Sequence, residues 1–547
     1  MVASINGSWK AVTPVVNKRP NIVIILADDL GYSDVGAFGG EIATPNIDYL
    51  AMNGIRFTQF YNTSRCCPSR AALLTGLYNH NAGIGEMTTR RQPAGYEGAL
   101  NAHCVTIAEV LKSAGYNTAM TGKWHVSNTI EQSTKEAQLS WLNHKASHPI
   151  FSPVNQYPTK RGFDRYYGTL WGVVDFFDPF SLVNDTTAVD AVPGDYYHTD
   201  AINDSSAAFI KRMSTKAAPF LLYVAQNAPH WPLQAKPEDI QKYQDTYKAG
   251  WDAIREARYN KMVKMGLIEP AKAALSARLN KELSWQENPD KDWDAHAMAV
   301  HAAMIDCMDQ GIGRIIRALK EANQLDNTLI IFLSDNGASP EDCSAYGPGF
   351  DRPGETRAGK KIEYPTTKRV FAGPETTFAS IGPRWANVAN TPYRLAKAES
   401  YEGGVRTPFI AYWPKGITAK GGSFVRQPGH VIDLMATLVE LAGARYPTTF
   451  KGETIYPMQG ESLVPAFNGK LIRKSRELFN EHYNARYIRQ GEWKLVSRSQ
   501  DSTWHLYNLS ADQTETNDLA GKDPKRVEVM KSRWFDWAYK NHVLPKK

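Results

Sequence analysis

Apolar positions along the chain fall into short unbroken runs separated by stretches with helical spacing. Asn21-Ile22-Val23-Ile24-Ile25-Leu26-Ala27 is continuous and rich in β-branched residues, which predicts a strand buried on both faces of a parallel sheet. It ends in Asp28-Asp29-Leu30-Gly31. Helical spacing runs from Pro45 to Gly54, and Ile55 to Tyr61 reads as a second strand. Ser69 to Leu77 predicts a helix, and Val105 to Gly115 a helix closed by glycine before a strand over Asn117 to Met120. Helix Ile202 to Met213 then leads to strand Pro219 to Val224, and helix Ala295 to Ala322 to strand Thr328 to Leu333. Thr407 to Trp413 is a further strand. This alternation predicts an α/β architecture, a large mixed and mostly parallel sheet sandwiched by helices.

Two segments interrupt the alternation. Residues 236–294 are polar, charged and helical in tendency, and read as an insertion; Glu341 to Asn390, rich in Gly, Pro, Thr and charge, reads as a long excursion. After about Arg445 the pattern becomes short strands (Glu477 to His482, Arg486 to Gln490, Trp493 to Val496) and a terminal helix, Lys525 to Tyr539. The expected division is a large domain over residues 1–445 and a small α+β domain over 446–547, since 547 residues exceed what one core accommodates.

Hydrophobic residues at 42% and charged residues at 22% describe an ordinary globular chain. The net charge of +7 has no basic block behind it, which argues against a nucleic-acid partner and suits a small anionic substrate. The five cysteines, Cys66, Cys67, Cys104, Cys307 and Cys343, show neither a disulfide framework nor a C-x-x-C zinc pair. MVASINGSWKAVTPVVNKRP lacks the charged and apolar regions of a signal peptide, and no run is long and apolar enough to span a bilayer. The expectation is a soluble protein without a membrane partner, cytoplasmic, or periplasmic or secreted if a signal has been removed. Oligomeric state is not legible.

The chemistry collects behind the strands. In an open α/β sheet, ligands bind beyond the carboxyl ends of the strands. Asp28 and Asp29 follow the first strand, Lys123 and His125 another, Asn227-Ala228-Pro229-His230-Trp231 a third, and Ser334-Asp335-Asn336-Gly337 a fourth. Asp28, Asp29, Asp335 and Asn336 offer only oxygen, which favours calcium, and less so magnesium, over zinc. Each pair is also a turn former; two pairs behind two buried strands point to a cation that relieves their repulsion. In Cys66-Cys67-Pro68-Ser69-Arg70, Pro68 suits a first helical turn, whose N–H groups lower the pKa of a cysteine there, and Arg70 adds a forked donor for an oxyanion. The plainer reading of two cysteines is two small buried side chains. Tyr166, Tyr167, Trp171, Phe176 and Phe177 either line a pocket for a ring or pack in the core.

Cys66-Cys67-Pro68-Ser69-Arg70-Ala71-Ala72-Leu73-Leu74-Thr75-Gly76 resembles the sulfatase signature, C-x-P-S-R followed by x-x-x-L-T-G. Further blocks resemble that family in order: Asp28 to Gly31, Thr44 to Asp48, Gly122 to His125, Ala228 to Pro232, Ser334 to Gly337 and Tyr401 to Gly404. The likeness runs from about Pro20 to the C-terminus and is strongest to bacterial arylsulfatases of the Pseudomonas type. It implies an alkaline-phosphatase-like fold and hydrolysis of organic sulfate monoesters. It also implies that a maturation enzyme oxidises a cysteine to formylglycine. Proline two residues on and arginine four on select Cys66; Cys67 occupies the variable position.

The remaining roles are likewise implied by the resemblance. The formylglycine hydrate attacks sulfur and releases the alcohol or phenol, and the covalent sulfate then leaves as the aldehyde re-forms. One Ca2+ is held by Asp28, Asp29, Asp335, Asn336 and the residue at 66, and Asp335 accepts the nucleophile's proton. Arg70 orients the nucleophile, and Lys123 and Lys397 bind sulfate oxygens. Lys397 is chosen because it lies five residues before Glu402, although Arg394-Leu395-Ala396-Lys397 departs from the commoner Gly-Gly-Lys form. His125 takes a proton during elimination, and His230 protonates the leaving oxygen. Aryl, alkyl and sugar sulfates all remain open as substrates. The competing readings are a phosphonate or phosphate ester hydrolase on the same scaffold and a catalytically silent binder of sulfated glycans.

Overall fold

A computed structural model describes residues 19–92, 94–146, 150–278, 283–343, 346–364, 367–472 and 476–543. The N-terminal segment read for a signal peptide lies almost wholly outside the described residues. The main sheet contains β1 (Asn21–Ala27), β2 (Ile55–Tyr61), β3 (Asn117–Gly122), β4 (Arg165–Thr169), β5 (Leu182–Asn184), β6 (Thr187–Ala188), β7 (Phe220–Ala225), β8 (Thr328–Ser334), β9 (Arg406–Tyr412), β10 (Ser423–Val425) and β11 (Gly429–His430). Its order is β10-β2-β9-β8-β1-β7-β3-β4-β5-β6, with β11 also on β2. β1 sits at the centre and runs parallel to both neighbours, Leu26 lying opposite Ala225 of β7 and Leu333 of β8. Its odd and even residues face different cores. Ile22, Ile24 and Leu26 share one with the helices Cys66–Thr75 and Asp433–Ala442; Val23 and Ile25 share the other with His198–Ser214 and Lys291–Glu321. That is why the run is apolar at every position.

The sheet is mixed where the chain does not cross back over a face. β9 is antiparallel to β8 and β2. The long excursion after β8 returns to the end it left, since Gly337 N donates to Gly404 O at 3.1 Å, so β9 enters from that end. Gly337 must be glycine here, because a Cβ would lie 1.8 Å from Gly403 O.

The helix expected at Ser69 begins at Cys66 and ends at Thr75, capped by Gly76 with φ 69°. Proline in its first turn costs nothing, because those N–H groups have no intrahelical acceptor. The 236–294 insertion contributes helices Pro237–Gln241 and Trp251–Lys264. Buried Arg258 anchors it, pairing with Asp34 and Glu41, both at 2.7 Å.

Beyond the main sheet, β12 (Thr449–Phe450) and β13 (Glu453–Thr454) form a hairpin. β14 (Glu477–His482), β15 (Ala485–Gln490), β16 (Trp493–Ser497) and β17 (His505–Asn508) form an antiparallel sheet, and helix Pro524–Lys540 packs against it. The fourth strand is an addition to the sequence reading. Buried Lys494 joins this sheet to the main body, lying 2.7 Å from Glu402 and 2.9 Å from Glu515. Among the described residues, no helix is long and apolar enough to cross a membrane.

Candidate active site

β1, β3, β7 and β8 end in register, so Asp28, Lys123, Gln226 and Asp335 leave the sheet at one edge. Asp29 adopts φ 63°, a left-handed turn that aspartate tolerates. Its N–H donates to Asp335 Oδ1 at 3.3 Å, and its Oδ1 accepts from Asn336 Nδ2 at 2.6 Å. Three carboxylates are thus buried side by side. Asp28 Oδ1 and Asn336 Oδ1 are also buried and have no hydrogen-bond partner among the described residues. Orphaned buried oxygens are rare and costly. Two such oxygens, one of them on Asp28 itself, in a cluster of three carboxylates are what a hard cation requires, so these residues fit a metal site.

Three cations face the three carboxylates. Lys123 Nζ lies 2.5 Å from Asp28 and Lys397 Nζ 2.8 Å from Asp29. Arg70 donates to Asp335 Oδ2 from Nε (3.1 Å) and Nη2 (2.8 Å), reaches Asp28 at 3.5 Å, and donates Nη1 to Lys123 O at 2.9 Å. Burial raises the pKa of Asp28, but Lys123, His230 and Arg70 outweigh it and hold the pKa below its ordinary value. Burial, and then the charge of Asp28, push Asp335 well above the usual carboxylate range. Burial opposes the charge on Lys397, but Asp29 and Glu341 overcome it and keep the amine protonated. Lys397 is 2% exposed, so it is not a surface lysine.

A cavity of about 310 Å³ opens above this cluster, with Cys66, His125, His230 and Lys397 in its wall. Cys67 is not in that wall; its Sγ lies 3.2 Å from His125 Nε2 and 3.8 Å from Met87 Sδ. Successive helical residues point about 100° apart, so one cysteine faces the cavity and the other turns aside. Cys67 is a small buried side chain, as the plainer reading has it, and its thiol also touches the imidazole. A hydrogen bond from Cys67 lowers the Cys66 thiol pKa well below its ordinary value, helped by Lys123 and His125 against burial.

His125 has φ 53°, and burial pulls its pKa down to about 4, so the ring is neutral at pH 7. Its ring packs on Gly172, where a Cβ would lie 2.3 Å from Cε1. The tautomer of His230 follows from its partners. Nδ1 donates to Trp231 O at 2.6 Å, so in the neutral ring Nε2 accepts from Lys397 Nζ at 3.2 Å. Burial again pulls this pKa below its ordinary value.

All ten residues singled out from the sequence meet here. The sequence reading missed Glu341, which accepts from Arg65 (2.9 Å), Trp231 Nε1 (2.7 Å), Lys397 (3.3 Å) and Ser339 (3.0 Å). Six residues beyond Asp335, inside a segment read as an excursion, it carried no signal beyond proximity to that block. Tyr483 also reaches the cavity, from the β14–β15 turn, where Tyr483 and Asn484 both have positive φ. The aromatic segment divides. Trp171 lines the cavity, Tyr166 and Phe176 pack in the cores, and Phe177 lines a separate groove of about 990 Å³ that shares no residue with the site. The Thr44 to Asp48 block is structural: Asp48 Oδ1 accepts from Ala37 N at 2.6 Å and Thr44 Oγ1 at 3.1 Å.

The chain is similar to known proteins along most of its length. The sulfatase family model matches residues 20–444, and that of the C-terminal part of N-sulphoglucosamine sulphohydrolase matches 395–534. An uncharacterized sulfatase of Schizosaccharomyces pombe is 34% identical, covering 96% of this chain and 95% of its own. The arylsulfatase of Klebsiella aerogenes is 33% identical, covering 84% and 95% respectively. The crystal structure of Ps i-CgsB superposes with a TM-score of 0.66 at 26% identity, covering 96% of this chain and 94% of that one. The chain belongs to the sulfatase family and is a sulfuric ester hydrolase of the alkaline-phosphatase superfamily.

Proposed function

We propose that this chain hydrolyses aryl-type sulfate monoesters, with formylglycine made from Cys66 by a maturation enzyme as the nucleophile. The observation that carries this reading is that Cys66, and not Cys67, lies in the wall of a cavity shared with two histidines and a buried lysine. Formylglycine, once formed, supplies a hydrated aldehyde that takes up the sulfuryl group and later expels it as sulfate. Calcium, held by Asp28, Asp29, Asp335, Asn336 and the residue at 66, supplies neutralising charge and acidifies the nucleophile when bound.

The chain's own groups do the rest. Arg70, fixed by Asp335 and by the carbonyl of Lys123, orients the residue at position 66. Lys123 and Lys397 present buried positive charge to the sulfate oxygens. Asp335, fixed at Oδ2 by Arg70, is assigned as the acceptor of the nucleophile's proton. His125 is neutral and accepts the proton released during elimination. His230 serves as the acid for the leaving oxygen only when Nε2 carries a proton, and Lys397 at 3.2 Å is its source. We assign this chemistry to residues 1–445, with 446–547 as a smaller domain.

The test combines inorganic sulfate release from an aryl sulfate with mass spectrometry of the tryptic peptide Cys66 to Arg70, using protein from its native host. Sulfate release with formylglycine at 66 is expected. Turnover by protein whose Cys66 is wholly thiol, or faster cleavage of an aryl phosphate diester, would overturn the proposal.

A further inference from the structure

The cavity in front of Cys66 carries three arginines on its rim, and each already has a carboxylate. Arg65 pairs with Glu341 at 2.9 Å, Arg91 with Glu86 at 2.8 Å, and Arg352 with Asp351 at 3.0 Å. All six residues line the cavity. The positive charge of the chain as a whole therefore does not reach this surface as free positive charge. The cations assigned to the sulfate group lie deeper, at Lys123 and Lys397, which are held by Asp28 and Asp29.

The walls between these pairs are aromatic. Trp171, Trp231, Tyr346 and Tyr483 line the cavity, with the Trp231 and Tyr346 rings 5.4 Å apart and inclined at 40°. Trp231 spends its indole N–H on Glu341, and Arg352 lies over Tyr346 at 4.9 Å, so both rings are held in place. A volume of about 310 Å³ stands at the lower limit for small-molecule sites.

Resting on the sulfatase reading, we propose that the organic part of the ester is a small uncharged ring body. Glu86, Glu341 and Asp351 are then specificity-determining residues that exclude a second anionic group. Each does so by keeping an arginine occupied and by presenting negative charge to the incoming group. Rejection by like charge is the usual means of excluding a wrong partner whose shape is acceptable.

The test is a ratio of kcat/KM for two esters of nearly equal shape, 3-carbamoylphenyl sulfate and 3-carboxyphenyl sulfate, with 4-nitrophenyl sulfate run in parallel. A ratio does not depend on the fraction of active enzyme, so partial misfolding of a variant does not affect it. The neutral ester is expected to be favoured by about tenfold or more. In the Glu86→Gln/Asp351→Asn variant, which frees Arg91 and Arg352, the preference is expected to shrink to about threefold or less. Glu341 is left intact because it also holds Lys397. Equal turnover of the two esters, preference for the carboxylate, or an unchanged ratio in the variant would overturn the inference. So would turnover of the nitrophenyl ester alone, which would leave the sulfatase reading standing. Sulfate release from none of the three would instead defeat the sulfatase reading, and this inference with it.

Discussion

Replacing each of the adjacent cysteines by alanine separates their roles. Cys66 lies in the cavity wall, and Cys66→Ala removes the precursor of the nucleophile. The loss should be on the order of 10⁶-fold in kcat, the scale on which covalent catalysis collapses when its nucleophile is removed. Cys67 contributes differently. Its thiol lies 3.2 Å from His125 Nε2, and the other ring nitrogen of His125 is buried without a hydrogen-bond partner among the described residues. Cys67→Ala therefore removes the hydrogen bond that holds the ring on this side. A net neutral hydrogen bond is worth about 1 kcal/mol, and the thiol is a weak donor, which bounds the effect. At 1.4 kcal/mol per tenfold, kcat should fall about fivefold and remain measurable. Gly172 behind the ring keeps it from moving far. The assay is initial-rate release of sulfate from an aryl sulfate, normalised to the fraction of Cys66 converted in the tryptic peptide, so that impaired maturation is not counted as impaired catalysis. If Cys67→Ala is as inactive as Cys66→Ala at full conversion, the division of labour between the two thiols is wrong. Formylglycine found at position 67 would refute the register outright.

Three further outcomes are expected. Chelation should lower the thermal unfolding midpoint and Ca2+ should restore it, since an ion at a hundredfold its Kd adds about 2.7 kcal/mol; a midpoint indifferent to both would remove the cation from Asp28, Asp29, Asp335 and Asn336. Lys494→Met leaves Glu402 and Glu515 buried without their shared partner and should cost about 3–5 kcal/mol in urea unfolding, the cost of breaking a buried ion pair from one side. Burial, reinforced by Glu402 against the pull of Lys494, raises the Glu515 pKa in the folded state, so stability should fall as pH rises from the unfolded carboxyl value of about 4.3. Burial also pushes Glu402 up, but Lys494 and Arg406 hold its pKa low, so its contribution is complete above that pH. Glu515→Gln should flatten the decline between about pH 5 and about pH 7 in urea titrations, and an unchanged slope would assign it elsewhere.

What was legible in the chain follows from the range of the forces involved. An apolar run bounded by Asp28-Asp29 or Asp335-Asn336 states locally both that a strand is buried on two faces and where it ends. The edge of the sheet that holds the chemistry could therefore be read before the strands were ordered. The two cysteines were separable by the spacing of the signature they resemble, and in the structure Cys66 lines the cavity while Cys67 does not. Their contact with His125 could not be read, because it joins positions 67 and 125 through the packing of two different strand ends. Glu341 was lost for the same reason. Its partners Arg65, Trp231 and Lys397 belong to three segments, and a lone glutamate in a Gly- and Pro-rich stretch looks solvated until they converge on it. The antiparallel entry of β9 comes from chain that stays at the ligand edge after β8, whereas Tyr483 arrives on the β14–β15 turn of the C-terminal sheet. Periodicity reports which face of an element is buried, not the end from which the next element enters. The residues that shape the cavity wall around the nucleophile therefore come from the segments with the weakest patterns, while the residues of the reaction centre come from the strongest. A rim built from loops can change its charge pairing without disturbing β1, β3, β7 or β8, so the substrate's organic part and the sulfuryl chemistry are set by separable parts of this molecule.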